Sequence, residues 1–237
     1  MVDEEITPLP ITHNHVGIDL GFIDLCTLSN GLVIHNPRWF RNNQTKLSKA
    51  QHKLSRKTKG SNRYLIQKIK VAKIHQYIAR CRNWYHHHIS TYLVRNYDTI
   101  CMEDLNIAGM KKILGKSASD AALSTLASQI KYKADWYGKT FHQVNRFYPS
   151  SKTCSHCGEK SSFGMEIRKW VCSHCGIRHD RDLNASINIL RQGVKELYSI
   201  IPAKLVGEGH GGDVRLCVGI NPLIATSMKC QMPPKVT

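Results

Sequence analysis

Apolar residues follow two different periods in the first hundred positions of the chain. Residues 15–36, HVGIDLGFIDLCTLSNGLVIHN, are rich in Val, Ile and Leu and are interrupted at Gly21 and at 29–31 by residues that favour turns. This pattern predicts two or three strands of an antiparallel meander. From Gln44 to about Val94 the apolar residues recur instead at steps of three and four, with a polar break at 59–62. That spacing predicts two long helices.

Strand and helix patterns alternate in the rest of the chain. The predicted elements are a strand at 97–104, a polar loop through Lys116, a helix at 118–138, a strand at 139–147, a helix from Asp182 to about Leu197, and a Gly- and Pro-punctuated tail at 200–237. A cysteine-bearing segment at 150–179 interrupts this order and is predicted to be an insertion. Strands followed by long helices, and then by alternating strands and helices, predict an α/β or α+β domain.

The charge of the chain is strongly positive and unevenly distributed. Thirty-four Lys and Arg against 17 Asp and Glu give a formal charge of +17, and no acidic residue lies between Asp24 and Asp98. Basic residues interleaved with aromatic ones predict a nucleic-acid surface, although a solvated helix face is the alternative. The candidate binding residues are Lys53, Arg56, Lys57, Lys59, Arg63 and Lys152. The run His86-His87-His88 is predicted to lie on a solvated helix face.

The compartment and the use of cysteine follow from composition. No apolar run approaches the roughly 20 residues of a membrane span, and the N-terminus MVDEEITPLP is acidic where a signal peptide is basic. We therefore expect a cytoplasmic protein with no membrane partner. In that compartment nine cysteines, four of them in two C-x-x-C pairs, indicate metal binding and not a disulfide framework.

The two cysteine pairs have the spacing of a four-cysteine zinc ribbon. Cys154 and Cys157 are followed after 14 residues by Cys172 and Cys175, and four thiolates form a closed tetrahedral shell around a structural zinc. Ordinary buried or redox cysteines are the alternative. His156 and His174 are ligand candidates by residue type, but contacts outside the coordination shell suit them better.

Carboxylates end two of the predicted strands and begin the last helix. Asp19 lies in a strand with apolar neighbours, Glu103 lies at the end of another apolar strand, and Asp180 or Asp182 lies at the helix start. Each one alone fits a turn or helix cap, but three that converge are suited to hold two Mg²⁺ or Mn²⁺ ions for phosphodiester cleavage.

Six motifs in order carry a family resemblance. They are GIDLG at 17–21, KLSRKTKGSNR at 53–63, CMEDLNIAGM at 101–110, ADWYGK at 134–139, FYPSSKTCSHCG at 147–158 and HDRDLNASINIL at 179–190. The chain resembles the TnpB (OrfB-type) proteins of insertion sequences, which are related to type V CRISPR effectors. The resemblance implies an α/β fold, namely an RNase H-like (RuvC-type) nuclease domain with an inserted zinc ribbon and a long basic helical segment.

The same resemblance implies a function and its residues. The expected activity is a transposon-associated, metal-dependent DNA endonuclease, with DNA and a guide RNA as partners in a prokaryotic cytoplasm. Asp19, Glu103 and Asp182 are expected to hold the catalytic Mg²⁺ or Mn²⁺, and Asp182 is preferred to Asp180 because the family's last motif places the metal-binding Asp just before Leu-Asn-Ala. The four cysteines are expected to hold zinc.

The chain departs from the family pattern at its start, where only 18 residues precede Asp19. We expect the N-terminal recognition part to be missing or supplied by a partner protein. A non-cleaving nucleic-acid-binding protein is therefore the alternative function, and an actin-like ATPase built on GIDLG is a weaker one. The expected domains are an extension at 1–14, a RuvC-like domain at 15–149 with a basic helical insertion at about 44–95, a zinc ribbon at 150–179, a final motif at 180–199 and a tail at 200–237.

Overall fold

The computed structural model of the protein describes residues 6–105, 115, 117, 120–164 and 166–200. Most of the predicted loop through Lys116, and the predicted tail beyond residue 200, lie outside these residues. Seven strands and four long helices occur in the described part. They are β1 (His15–Leu20), β2 (Asp24–Leu28), β3 (Val33–His35), α1 (Trp39–Ser55), α2 (Asn62–Asn96), β4 (Thr99–Glu103), α3 (Leu123–Trp136), β5 (Thr140–Val144), β6 (Lys169–Val171), β7 (Arg178–Asp180) and α4 (Arg181–Ile200).

Five strands form one mixed sheet in the order β3-β2-β1-β4-β5. The first three strands form an antiparallel meander, in which Ile18 is paired with Leu28. β4 and β5 run parallel to β1, and Glu103 is paired with Val144. The predicted meander and the mixed α/β character are confirmed. The order of the strands makes β1 the centre of the sheet.

Helices cover both faces of this sheet. On one face Leu93 of α2 and Leu126 of α3 join a buried core with Val16 and Ile18 of β1. On the other face α4 packs so closely that a side chain at Gly17 would lie 2.1 Å from the Ser186 carbonyl oxygen. Because successive residues of a strand point to opposite faces, the residues in step with Gly17 face α4.

The basic segment forms a helical hairpin beside the sheet. The predicted break is confirmed, since α1 ends at Ser55 and α2 begins after Ser61, whose hydroxyl accepts a hydrogen bond from the Tyr64 amide at 3.2 Å. α1 has no side-chain cap of its own. The buried carboxylate of Asp120 accepts hydrogen bonds from the amides of Phe40 and Arg41 and so caps α1 from a distant part of the chain.

The prediction that the histidine run is solvated is wrong for its first residue. His86 is 2% exposed, whereas His87 and His88 are exposed. His86 lies one helical turn before Ile89 and Ser90, so it shares their buried face of α2. Burial lowers the pKa of His86 to about 4.

A separate two-stranded sheet, β6 and β7, carries the cysteine segment. Trp170 of β6 is buried against Phe163 and His179. None of the helices in the described part of the chain has the length and apolar character needed to cross a membrane.

Candidate functional site

Three carboxylates predicted from the sequence lie at one edge of the α4-covered face. Asp19 is two residues beyond Gly17 on β1, so it faces α4 as Gly17 does. Glu103 is two residues beyond Cys101 on β4, and the Cys101 sulfur lies where a side chain at Gly193 of α4 would be. Asp182 lies in the first turn of α4. The strand period and the start of one helix therefore bring these three residues to the same edge.

The pKa of Asp19 responds to the charges of the other two carboxylates. The pKa of Asp19 is raised from 3.8 to about 8, mainly by burial and then by the negative charges of Asp182 and Glu103. Burial also raises the pKa of Glu103, with a contribution from Asp104. Excess negative charge in a partly buried place favours either a proton or a cation.

Two arginines hold Asp182, and sequence reasoning did not identify either of them. Arg168, just before β6, donates a hydrogen bond from Nη1 to Oδ2 of Asp182, and Arg181 donates from Nε to Oδ1 at 3.1 Å. Both arginines also lower the pKa of Asp19, though less than burial raises it. Arg168 is 14 residues away in sequence, so only the return of the chain through β6 and β7 brings it to the site.

Asp180 has a different position from Asp182. Its Oδ1 accepts hydrogen bonds from the amides of Asp182 and Leu183, both at 3.2 Å, and its side chain is exposed. This is the arrangement of an N-terminal helix cap. The charge of Asp182 raises the pKa of Asp19, and the choice of Asp182 over Asp180 stays a prediction.

The four cysteines form a compact cluster. Their sulfur atoms all lie within 4.8 Å of one another, with 3.6 Å between Cys154 and Cys175 and between Cys157 and Cys172. A tetrahedral zinc with Zn–S bonds of about 2.3 Å places its sulfurs about 3.8 Å apart, so the cluster fits this ion. Among the described residues no other group of three potential ligands is this tight, and the carboxylates are thus more widely spread.

Each cysteine pair is held by the same backbone turn. The amides of Gly158 and Gly176 donate to the carbonyls of Cys154 and Cys172, both at 2.9 Å, and both glycines have positive φ angles, 78° and 72°. Glycine adopts this conformation without steric cost. The two turns therefore present both thiol pairs in the same geometry.

His179 is the histidine that contacts the cluster, and sequence reasoning missed it. Its Nε2 lies 3.1 Å from the Cys154 sulfur, and its ring packs 4.7 Å from Trp170. His156 and His174, the residues considered from the sequence, are both exposed. The pairing of His179 with Trp170 across β6 and β7 depends on strand register, which the C-x-x-C spacing does not reveal.

Two buried asparagines of α4 connect the ribbon to the carboxylates. Asn184 and Asn188 donate to the Thr153 carbonyl at 2.8 and 2.6 Å, and Asn184 Oδ1 accepts from the Ser155 amide at 2.8 Å. The first cysteine turn is therefore fixed to the helix that carries Asp182. In the sequence these residues appear only as the small polar positions of DLNASIN.

A basic groove runs between α1 and α2. It encloses about 750 Å³, and Lys46, Lys49, Lys53, Lys70, Lys73 and Tyr77 are among the residues that line it. Of the predicted binding residues only Lys53 lines this groove. Arg56, Lys57, Lys59 and Arg63 are exposed around the turn of the hairpin, and Lys152 is exposed in the ribbon. The sequence indicated the charge of this region but not the groove.

Comparison with known proteins gives two family matches. Residues 1–114 match the OrfB family, described as "Probable transposase", and residues 124–189 match the "Cas12f1-like, TNB domain" family. Among similar proteins is a "Putative RNA-guided DNA endonuclease" of Streptomyces pristinaespiralis, 41% identical over 82% of this chain and 49% of that protein. The "Putative RNA-guided DNA endonuclease InsQ" of Escherichia coli is 32% identical over 80% of this chain and 52% of that protein.

A solved structure shows the same fold. One chain of a Cas12f1–sgRNA–target DNA complex aligns with a TM-score of 0.53 and 21% identity, over 77% of this chain and 50% of that chain. The protein thus spans about half the length of the relatives it matches. The two family matches cover the strands with Asp19 and Glu103 as well as the cysteine ribbon, and with these relatives they show that the chain belongs to the TnpB/OrfB-type family of insertion-sequence proteins.

Proposed function

We propose that the protein is a metal-dependent DNA endonuclease whose catalytic residues are Asp19, Glu103 and Asp182. The observation that carries this proposal is the raised pKa of Asp19, to which Asp182 and Glu103 contribute directly. Perturbed carboxyl groups gathered at one edge of a sheet are typical of sites that bind divalent cations.

The fold supports a RuvC-type, RNase H-like nuclease domain. A sheet in the order β3-β2-β1-β4-β5 has an antiparallel first half and parallel β4 and β5. It presents Asp19 from the central strand and Glu103 from the neighbouring one. α4 crosses the same face and supplies Asp182.

Mg²⁺ or Mn²⁺ is the proposed cofactor of this centre, because the donor set consists of carboxylate oxygens. When bound, two such ions activate a water molecule and stabilise the leaving oxygen of a phosphodiester. The residues of the chain orient this centre. Arg168 and Arg181 hold the Asp182 carboxylate in place, and their guanidinium groups are proposed to contact a phosphate of the substrate as well.

The four cysteines are proposed to hold a structural zinc ion. The closed shell of four thiolates leaves no position for substrate, and the ribbon positions Arg168 next to Asp182. Zinc binding is therefore proposed to serve the active site through folding and not through chemistry.

The basic groove and hairpin turn are proposed to bind the phosphates of nucleic acid. Five lysines line the groove without an acidic residue among its lining, which favours a polyanion. DNA as substrate and a guide RNA as partner are proposed because the relatives' names describe RNA-guided DNA endonucleases. We propose the cytoplasm as the site of action.

Cleavage of a labelled single-stranded DNA in Mg²⁺ tests this function. Asp19→Asn and Asp182→Asn are expected to lower the rate more than about 100-fold, since even outer partners of metal ligands matter 10–100-fold. The exposed Asp135→Asn serves as the control for surface charge. Asp180→Ala is expected to retain cleavage, and a larger loss there than in Asp182→Asn would reverse the assignment of these two residues.

A nucleic-acid-binding protein that does not cleave is the second candidate. It is favoured by the engagement of both Asp182 oxygens with arginines, which competes with a metal. DNA binding without any metal-dependent cleavage by the wild-type chain would establish this second function instead of the first.

A further inference from the structure

An exposed phenylalanine stands beside the carboxylate edge and has no role in the proposed chemistry. Phe147 is 85% exposed, the highest exposure among the large apolar side chains in the described part of the chain. A fully solvated phenylalanine ring leaves a large apolar surface in water. An exposed ring next to a candidate active site is a candidate contact for a ligand.

The turn that carries Phe147 is held by contacts on both sides. The Asn145 side chain accepts a hydrogen bond from the Phe147 amide at 2.9 Å, and the Asn145 carbonyl accepts one from the Tyr148 amide at 3.0 Å. Arg146 donates to the carboxylate of Asp104, the residue after Glu103, from Nε at 3.0 Å. The exposure of Phe147 is therefore imposed by the local structure.

The neighbouring side chain explains the direction of Phe147. Tyr148 packs inward on Val144, Ile189 and Leu190, below α4. The Ser150 carbonyl then accepts from Asn188 Nδ2 at 2.8 Å, so the chain after the turn is fixed to the same helix. With Tyr148 anchored inward, Phe147 projects outward.

Phe147 lies within reach of a strand bound at the carboxylates. Val144 is paired with Glu103, neighbouring strands are about 4.8 Å apart, and three residues of chain extend at most about 10 Å. The Cα atoms of Phe147 and Glu103 are thus no more than about 15 Å apart, a distance that a few nucleotides of a single strand span.

We propose that Phe147 is a stacking platform for an unpaired base of single-stranded DNA next to the scissile phosphate. Every base has a face that stacks on an aromatic ring, so the contact needs no particular sequence. Arg146, the residue before Phe147, is partly exposed in its ion pair with Asp104, so its guanidinium is also open to the neighbouring phosphate. This inference rests on the proposed nuclease function, and it makes Phe147 a substrate-positioning residue.

Binding of a fluorescent oligodeoxynucleotide of about 20 nucleotides to the full chain tests the proposal, with Asp19→Asn as the parent so that DNA stays intact. Phe147→Ala is expected to weaken binding of the single strand about 5- to 100-fold, the effect of one lost base stack. Binding of the same sequence as a duplex is expected to change less than about twofold. Phe147→Trp keeps an aromatic ring at this position and is expected to bind the single strand as tightly as the Asp19→Asn parent does.

Trp136→Ala is the matched control. Trp136 is 53% exposed at the end of α3, near the start of β5 and hence at the opposite end of that strand from Phe147. An equal loss in Phe147→Ala and Trp136→Ala would mean that any exposed aromatic residue acts alike, and it would overturn the proposal.

Other results overturn it as well. A stacking site for DNA would be contradicted if Phe147→Ala left the affinity for single-stranded DNA unchanged, or weakened binding of single strand and duplex equally. It would also be contradicted if Phe147→Ala weakened binding of single-stranded RNA but not of single-stranded DNA. Cleavage by the wild-type chain separates the two ideas. Cleavage with no effect of Phe147 on affinity retains the nuclease function and rejects the stacking site. A Phe147 effect without cleavage retains a base-stacking contact but rejects the nuclease function and the placement of that base next to a scissile phosphate.

Discussion

Replacing Asp19 by Asn is expected to stabilise the protein when no Mg²⁺ or Mn²⁺ is bound. The folded state holds the Asp19 pKa at about 8, against 3.8 for an Asp carboxyl group in water, because of burial and the charges of Asp182 and Glu103. Asn is uncharged and similar in size, so the variant keeps the shape of the site and does not have to take up a proton when it folds. A carboxylate whose pKa is raised by folding destabilises the fold as it ionises.

The size of the expected stabilisation follows from the raised pKa of Asp19. Each pKa unit corresponds to about 1.4 kcal/mol, so the interval from 3.8 to neutral pH sets an upper bound of about 4 kcal/mol. Asp19 is only partly buried, and solvent relaxation reduces this figure. We expect Asp19→Asn to raise the free energy of unfolding by about 2 kcal/mol at pH 7.

The stability difference between Asp19→Asn and wild type is expected to depend on pH. Between pH 3.8 and about 8 the folded protein holds more protons at Asp19 than the unfolded chain does, so this residue's contribution to stability falls as pH rises. The difference between Asp19→Asn and wild type is therefore expected to be small near pH 4 and to grow toward pH 8. Comparing the two proteins cancels the groups that both contain.

Urea unfolding followed by tryptophan fluorescence measures this difference in a buffer that lacks Mg²⁺ and Mn²⁺ and contains no chelator that would remove zinc. The exposed Asp135→Asn is the control, with an expected change below about 0.5 kcal/mol. Mg²⁺ added to this buffer is expected to stabilise wild type more than Asp19→Asn, because a bound ligand stabilises the folded state. A stability difference between Asp19→Asn and wild type that stays flat from pH 4 to pH 8 would refute the electrostatic reasoning.

Three further changes probe the ribbon, the hairpin and the core. Cys172→Ser is expected to remove zinc and lower the free energy of unfolding by at least about 2 kcal/mol; unchanged zinc content by mass spectrometry would contradict the four-cysteine site. Asp120→Ala is expected to lower the free energy of unfolding by about 1–2 kcal/mol, because the amides of Phe40 and Arg41 lose their cap. Asp120→Asn is expected to retain part of that stability, and equal urea midpoints for Asp120→Ala and wild type would exclude the cap. Burial lowers the pKa of His86 to about 4, so the free energy of unfolding of wild type is expected to fall by up to about 3 kcal/mol as pH falls from 6.5 to 4. The free energy of unfolding of His86→Leu is expected to fall less over that interval, and identical pH profiles for the two proteins would contradict this expectation.

The secondary structure was predictable because its signals are local. The alternation around Ile18 and the three- and four-residue steps of α2 follow from the geometry of one strand and one helix. The break before Ser61 was recognisable from its Gly-Ser-Asn composition. The position of β1 at the centre of the sheet was not, since its pairing with β4 joins residues far apart in sequence, such as His15 and Thr99.

The candidate site was predictable in part. Asp19, Glu103 and Asp182 were indicated by strand ends and by family motifs, and their roles stay predictions for the cleavage assay. Arg168 and His179 were not found. Their contacts, with Asp182 and with Cys154, exist because β6 and β7 return the chain on itself.

The sequence by itself determined the order of strands and helices, the spacing of the four cysteines and the positive charge of the hairpin. These properties depend on residue type and on neighbours along the chain. The tertiary structure decided the burial of His86, the raised pKa of Asp19 and the outward exposure of Phe147. Burial and charge coupling depend on distances in space, and those distances arise only when α4 and the ribbon pack against the sheet.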